Sequence, residues 1–238
     1  MSKLFLIGLL LFGGACSSSN HKEKEIVQDT VLEQSTSSTL LPDSAVIDPK
    51  PNFEKYADTA FVLLADFAEG FSYDMRYATA NNFLDTAVYP CANCKLRKAV
   101  AEALVKANTS LNKKGYRIKF FDCYRPLDVQ RQMWAVLPDS RYVANPNKSG
   151  SIHNRGAAVD ISVETLAGQE LDMGTAFDHF GEEAHHTYTQ LSDTVKANRK
   201  LLRSAMETAG FTALETEWWH YLYGKKSQYA LANESLCD

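Results

Sequence analysis

The sequence predicts a single compact α+β domain, with a largely antiparallel sheet flanked by helices. Three observations lead to this class. The chain has 238 residues, of which 45% are hydrophobic, and this is enough for one sizeable core but leaves little for a second. Strand-like alternation and helix-like spacing of apolar residues both occur along the chain. The segments that carry them do not alternate as regular βαβ units, so a doubly wound parallel sheet is disfavoured.

The first 16 residues resemble an export signal. One lysine precedes the short apolar run LFLIGLLLF, which is too short to remain in a bilayer as a spanning helix. The run ends in FGGAC, and small residues leading into Cys16 resemble the lipobox of bacterial lipoproteins, although Gly13 stands where leucine is usual. We therefore expect an exported lipoprotein, lipidated on Cys16 and held at the periplasmic or outer-membrane face. An ordinary cleaved signal and an embedded helix are the alternatives.

Composition separates the rest of the chain into two parts. Residues 17–50 are rich in serine, threonine and charge without sustained apolar periodicity, which predicts a flexible polar tether. The folded domain is expected over residues 51–238. The net charge is only -4 at pH 7, with both signs interspersed. This excludes the basic surface of a nucleic-acid binder and favours a small-molecule or peptide partner.

The first half of the domain carries two helices around a strand. Residues 95–115 place apolar side chains on one stripe and end at a glycine, which predicts an amphipathic helix. In YRIKFFD, residues 116–122, apolar and charged residues alternate as in a strand. The chain then breaks at Tyr124-Arg125-Pro126, and a short helix is expected over residues 127–137.

The second half predicts two strands around a long helix. In AAVDISV, residues 157–163, three β-branched residues lie on the face opposite Asp160. A helix is expected over residues 193–209, where Asp193 can provide the N-terminal cap. FTALETEWWHYLY, residues 211–223, is predicted to be one final strand.

Two of the six histidines lie in these patterned segments and could share a metal ion. His153 precedes Asp160 by seven residues, and His220 ends the sequence ETEWWH. A catalytic zinc typically takes three nitrogen or oxygen ligands and leaves a fourth position to water, with a carboxylate nearby to take the proton of that water. His153, Asp160 and His220 would be such a set, with Glu217 as the base.

Other interpretations of these residues remain open at this point. Each side chain could have an ordinary structural role, as a lone histidine beside a strand often does. In a regular strand Glu217 and His220 would point to opposite faces, so that a bulge or a strand end must lie between them if both serve one ion. The segment DHFGEEAHH, with His179, His185 and His186, is a rival metal cluster.

A family resemblance extends over most of the domain. SxHxxGxAxD at residues 151–160 and EWWH at residues 217–220 resemble the paired zinc motifs of the M15 peptidases, and more closely those of the VanX-type D-alanyl-D-alanine dipeptidases. Further stretches resemble the same family in the same order: DMRYATANNF (74–83), DCYRP (122–126), MGTAFDHFGEEAHH (173–186) and NRKLLRSAMETAGF (198–211). The resemblance implies an M15/hedgehog-like zinc peptidase fold with a small, enclosed pocket.

The resemblance also implies a role for individual residues. One Zn²⁺ per chain would be bound by His153, Asp160 and His220. Glu217 would be the general base, and Arg125 would stabilise the transition state. Three residues match positions near the bound dipeptide: Tyr77, Ser151 and Asp178. The histidines of DHFGEEAHH would not be zinc ligands.

The implied activity is zinc-dependent hydrolysis of D-alanyl-D-alanine to two D-alanines outside the cytoplasm, in cell-wall precursor or turnover metabolism. The partner would be a small D,D-dipeptide, without nucleic acid, and the membrane would be contacted only through the N-terminal lipid. One alternative is a D,D- or L,D-carboxypeptidase or endopeptidase acting on longer peptidoglycan peptides. Another is a non-catalytic module that binds wall peptides, against which the intact Glu217 and Arg125 argue. The sequence does not indicate an oligomeric state.

Cysteine usage fits an exported protein. Apart from Cys16, the chain has Cys91, Cys94, Cys123 and Cys237. An oxidising compartment favours structural disulfides over metal or redox chemistry. Three pairings are possible, and a bridge from Cys123 to Cys91 or Cys94 would brace the loop that carries Arg125.

Overall fold

The computed structural model describes residues 52–237. The predictions for the export signal, for lipidation of Cys16 and for the tether lie outside the described residues. Within residues 52–237, no helix is long and apolar enough to span a membrane.

The described part of the chain combines short strands with helices. The strands are β1 (Phe61–Leu63), β2 (Ser72–Tyr73), β3 (Lys95–Arg97), β4 (Tyr116–Asp122), β5 (Ala158–Thr165), β6 (Phe211–Ala213) and β7 (His220–Tyr223). The α-helices are α1 (Leu64–Phe67), α2 (Lys98–Asn112), α3 (Leu127–Val136) and α4 (Asp193–Thr208).

The main sheet has the strand order β2-β4-β5-β7-β6. Only the β2–β4 pair is parallel, and the other neighbours are antiparallel. A separate antiparallel pair joins β1 to β3. The predicted α+β class with a largely antiparallel sheet is therefore confirmed.

Helices α2 and α4 cover one face of the main sheet. Helix α2 packs on β4 and on α4, and α4 packs on β6. Their apolar stripes enter the core, with Leu104 and Leu111 of α2 and Leu202 of α4 fully buried. Burial of such side chains contributes roughly 1.5–3 kcal/mol each. This core packs against one face of the sheet, and the opposite face remains available for polar side chains.

Two local predictions were wrong at helix starts. Lys95–Arg97 is strand β3 and not the first turn of a helix, because it pairs with β1 in the register Phe61↔Arg97. Helix α2 begins only at Lys98. At α4 the cap is Ser192 and not Asp193, since the Ser192 hydroxyl accepts the hydrogen bond from the Val195 N–H at 3.2 Å.

The prediction of one final strand was also wrong. Residues 211–223 form two antiparallel strands, β6 and β7, with a turn between them. The Leu214 N–H donates to the His220 carbonyl at 3.0 Å, and the Glu217 N–H donates to the Leu214 carbonyl at 3.1 Å. Glu217 therefore lies in the turn before β7, and the strand-face objection to a shared site with His220 no longer applies.

Two disulfides connect the described cysteines. Cys94 is bonded to Cys123, with their Cα atoms 5.3 Å apart, and Cys91 is bonded to Cys237. Cys123 immediately follows β4, so its disulfide ties the end of that strand to the start of β3. The disulfide predicted between Cys123 and either Cys91 or Cys94 is present, and the partner of Cys123 is Cys94.

Candidate active site

Strand register aligns polar side chains across the centre of the main sheet. Asp160 of β5 pairs with His220 at the start of β7 and with Asp122 at the end of β4. His153 lies in the short 3-10 turn before β5. Gly156 ends that turn with φ +68°, and a Cβ there would lie 2.4 Å from the Phe61 ring. A glycine is therefore required where the chain turns from His153 into the strand.

The structure brings His153, Asp160 and His220 together. Their ligand atoms all lie within 4.8 Å of one another, and all three residues are buried. His220 Nδ1 lies 2.8 Å from Asp160 Oδ1, and His153 Nε2 lies 3.3 Å from Asp160 Oδ2. Two imidazoles and one carboxylate at these separations form a donor set typical of zinc.

Neighbouring groups set the protonation of these donors. His153 Nδ1 lies 2.7 Å from the Cys123 carbonyl. A carbonyl can only accept, so Nδ1 carries a proton, and Nε2 is the ring nitrogen that faces Asp160. Burial alone would raise the pKa of Asp160, but the imidazoles of His153 and His220 lower it below its usual range. The carboxylate is therefore ionised, and the three residues fit a divalent cation.

Glu217 lies at the edge of this donor set. Its Oε2 is 3.8 Å from His220 Nδ1. Loss of solvation raises the pKa of Glu217 to about 7, and His220 opposes that rise. A carboxyl group whose pKa lies near neutrality can both accept a proton from water and return it.

Arg125 is held beside the donor set by buried partners. Its Nε and Nη2 donate to Asp122 Oδ2 at 3.1 and 2.7 Å, and its Nη1 donates to Gln130 Oε1 at 3.0 Å. Asp122 is fully buried and also accepts from the Tyr89 hydroxyl at 2.7 Å. Arg125 Nη2 lies 4.0 Å from Asp160 Oδ2. The guanidinium is thus fixed beside the metal-ligand set.

Tyr77, Ser151 and Asp178, which were predicted to lie near the substrate, line the same cavity as the metal-ligand set. The Tyr77 hydroxyl donates to Asp178 Oδ2 at 2.9 Å, and the Ser151 hydroxyl accepts from the His153 N–H at 3.2 Å. Loss of solvation, with a contribution from Asp160, raises the pKa of Asp178 to about 8. The carboxyl group of Asp178 is therefore short of a cationic partner.

One small cavity of about 90 Å³ collects the predicted site residues. Its lining includes Tyr77, Arg125, Ser151, His153, Asp160, Asp178, Glu217 and His220. Other lining residues were not predicted from sequence: Phe83, Met133, Tyr142, Val143, Ala144, Phe180 and Trp219. Asp122 and Gln130, which hold Arg125, were missed as well. For Asp122 the sequence did offer a signal, because it precedes Arg125 by three residues in the motif DCYRP.

The rival histidine cluster has structural contacts instead. His179 Nε2 lies 3.1 Å from Glu183 Oε2, and the His185 carbonyl accepts from Arg199. The ring of His186 lies next to Tyr221. Among residues 52–237, the set of His153, Asp160 and His220 is the one group of three potential metal ligands. The segment DHFGEEAHH does not form a second.

Comparison with protein families agrees with this geometry. The Peptidase M15 family model, described as D-ala-D-ala dipeptidase, matches residues 57–237. The chain belongs to the M15 peptidase family. The family resemblance drawn from the sequence motifs is therefore confirmed.

Curated relatives of this M15 chain carry the same description. It is 33% identical over 180 residues to the D-alanyl-D-alanine dipeptidase of Escherichia coli K12, covering 75% of this chain and 93% of the relative. It is 32% identical over 185 residues to that of Enterococcus faecium, covering 69% and 92%. A solved D,D-pentapeptidase in complex with Zn(II), from a VanB-type vancomycin resistance cassette, is a more distant match. It has a TM-score of 0.37 and 14% identity, covering 58% of this chain and 78% of that one.

Proposed function

We propose that this M15 peptidase hydrolyses D-alanyl-D-alanine to two D-alanines in a zinc-dependent reaction outside the cytoplasm. The observation that carries the proposal is the single small cavity that brings together the metal-ligand set, Glu217, Arg125 and the carboxyl group of Asp178. The curated relatives described above, which are D-alanyl-D-alanine dipeptidases, support the same substrate.

The metal would be held by His153 Nε2, His220 Nδ1 and the Asp160 carboxylate. Zn²⁺ in such a site lowers the pKa of a water molecule and polarises the carbonyl group of the substrate. Glu217 would accept a proton from the attacking water and return it to the leaving amine.

Arg125 provides hydrogen bonds to the oxygen that becomes negative during attack. A guanidinium has five N–H groups. Three of the donors are used by Asp122 and Gln130, through Nε, Nη1 and Nη2. One N–H on each Nη nitrogen remains for the substrate, and the buried partners hold the group in place. Such preorganised donors stabilise developing charge more than mobile ones do.

Asp178 is the group best placed to bind the free amino group of the dipeptide. An ammonium beside it replaces the solvation that its surroundings remove, and the Tyr77 hydroxyl orients the carboxyl group. Charge-assisted hydrogen bonds of this kind are the strong ones. A dipeptide with a free amine therefore satisfies Asp178, whereas an N-acylated one leaves it without a cation.

Two other functions are disfavoured by particular features. A carboxypeptidase or endopeptidase for longer wall peptides needs an open groove, whereas the cavity beside the metal-ligand set is small and enclosed by aromatic rings. A module that only binds wall peptides has no need of the carboxyl group of Glu217 or of a guanidinium held by two buried partners.

The location outside the cytoplasm is part of the proposal. We propose that residues 1–16 are a lipoprotein signal that ends at Cys16, and that residues 17–50 tether the domain to the membrane. The two disulfides among the described residues support an oxidising compartment. Cys16→Ser should abolish metabolic labelling with a fatty acid and leave an unprocessed precursor. Labelling that persists in this variant would exclude lipidation at Cys16.

The activity is tested with the purified protein and three substrates. Free D-Ala-D-Ala should be cleaved, and a chelator should stop the reaction until Zn²⁺ is restored. N-acetyl-D-Ala-D-Ala and L-Ala-L-Ala should be very poor substrates, since the first lacks the ammonium and the second has both methyl groups inverted. Efficient release of D-Ala from a wall pentapeptide, with little action on the dipeptide, would favour the carboxypeptidase instead.

A further inference from the structure

Two aromatic side chains separate the active-site cavity from a larger cavity outside it. The rings of Tyr142 and Phe180, called here the aromatic pair, have centroids 4.6 Å apart. The outer cavity has a volume of about 330 Å³. Both cavities are lined by the aromatic pair and by Glu217 and Trp219. The pair is thus a partition between two spaces that meet at the catalytic carboxyl group.

The loop that carries Phe180 also carries the carboxyl group proposed to bind the substrate amine. Asp178 precedes Phe180 by two residues, and both line the inner cavity. The turn is closed by His179 and Glu183, whose side chains meet at 3.1 Å. A Cβ on Gly181 would lie 2.4 Å from the Glu183 carboxylate and 2.5 Å from the His179 ring, so a larger residue there would displace this pair of side chains. The position of Phe180 is therefore tied to that of Asp178.

The loop that carries Tyr142 is tied to the other side of the site. The N–H groups of Tyr142 and Val143 both donate to the Asp139 carbonyl, at 3.1 and 2.9 Å. Gln130 Nε2 donates to the Ala144 carbonyl at 2.7 Å, while its Oε1 accepts from Arg125. One side chain thus connects the Tyr142 loop to the guanidinium of the active site.

We propose that Tyr142 and Phe180 determine selectivity for substrate length, by closing the cavity just beyond the amino group of the dipeptide. This inference rests on the proposed function. A free ammonium ends at Asp178, whereas any residue attached to that nitrogen must pass between the two rings. The space beyond the rings is the outer cavity, which is also lined by Arg141, Glu182 and the imidazoles of His179 and His185. Removal of either ring would join the two cavities into a groove with room for upstream residues.

The test compares Tyr142→Ala, Phe180→Ala and the double variant with the wild-type protein. For each, kcat/KM is measured with D-Ala-D-Ala and with the tripeptide L-Lys-D-Ala-D-Ala, under zinc-replete conditions. The preference for the dipeptide, expressed as the ratio of the two values, should fall by roughly tenfold or more in the double variant, the scale for relief of steric exclusion in a pocket. The inhibition constant of the tripeptide against dipeptide cleavage provides a second measurement and should fall in parallel.

Tyr56→Ala is the matched control. Tyr56 is 41% exposed, compared with 38% for Tyr142 and 39% for Phe180, and it also packs against another aromatic ring, that of Phe67. It lines neither cavity, so its replacement should leave the ratio unchanged. A double variant that still cleaves the dipeptide with the wild-type ratio and the wild-type inhibition constant would overturn the role of the aromatic pair. A wild-type protein that does not cleave D-Ala-D-Ala would instead overturn the proposed function.

Discussion

Replacement of Asp178 by asparagine should change how the stability of the metal-free protein depends on pH. Loss of solvation in the cavity wall raises the pKa of Asp178 from 3.8 to about 8, with a further contribution from Asp160 and an opposing one from the Tyr77 hydroxyl. Between these two values the folded protein retains a proton that the unfolded chain has released. Asparagine has no proton to exchange and should lack this effect.

The sign and the size of this change in the free energy of unfolding follow from proton linkage. Because the folded state binds more protons, the free energy of unfolding falls as pH rises from about 4 to about 8. The contribution of Asp178 is fully present below pH 4 and is lost as pH rises through the folded pKa. A single group changes stability by at most about 1.4 kcal/mol per pH unit. Asp178 is only partly buried, so residual solvation should reduce this maximum slope to roughly half. The free energy of unfolding should then fall by about 2–3 kcal/mol between about pH 4 and pH 8.

The assay is urea unfolding of both proteins in the presence of a chelator, at pH 5, 6, 7 and 8. The wild-type protein should lose stability with pH more steeply than Asp178→Asn. Asp128→Asn is the control, because hydrogen bonds from Asn233 and Arg131 lower the pKa of this exposed carboxyl group and it titrates below the range studied. Parallel curves for the wild-type protein and Asp178→Asn would refute the reasoning, since Asp178 would then be ionised throughout.

The same substitution should impair catalysis while zinc remains bound. Loss of the charged contact to the substrate amine removes roughly 1.5–3 kcal/mol of binding, so kcat/KM for D-Ala-D-Ala should fall by about 10- to 150-fold. A variant that is more stable at pH 8 but less active would show that Asp178 is retained for the substrate rather than for folding.

Further predictions concern the metal site and its support. His220→Ala should lose stoichiometric zinc, whereas Glu217→Gln should keep zinc and lose turnover; metal analysis and kinetics separate the two, and full zinc content in His220→Ala would place the metal elsewhere. Arg125→Ala should retain zinc while kcat falls by roughly a hundredfold or more, the scale for one oxyanion donor, and an unchanged kcat would remove this residue from the mechanism. The double variant Cys94→Ala and Cys123→Ala should bind zinc more weakly in a chelator competition, because the carbonyl that orients His153 belongs to Cys123; unchanged affinity would show that the disulfide does not position the ligand.

Local pattern was sufficient for much of the secondary structure. The strands β4 and β5 and most of helices α2 and α4 were predicted from the period of their apolar residues, because that period reflects which face of each segment must be buried. The candidate metal ligands and Glu217 were predicted from their residue types together with the resemblance to the M15 motifs, since spacing alone left DHFGEEAHH as a rival.

The errors in secondary structure have different physical causes. Lys95–Arg97 continues the helical stripe of α2, yet it is a strand because β1 offers backbone hydrogen bonds to it. The partner of β3 thus lies far earlier in the chain, outside any local window. Residues 211–223 contain no glycine or proline to mark a turn, and the turn within them forms because β6 pairs with β7.

The sequence by itself indicated which residues could form a zinc peptidase site, because several short motifs resemble those of the M15 family in the same order. Tertiary structure alone decided that Cys94 pairs with Cys123, that Asp122 and Gln130 hold Arg125, and that the rings of Tyr142 and Phe180 meet at the cavity. Each of these is a contact between side chains whose separation depends on how the whole chain packs. Periodicity and motif spacing carry no information about such distances, and packing of the complete domain is what sets them.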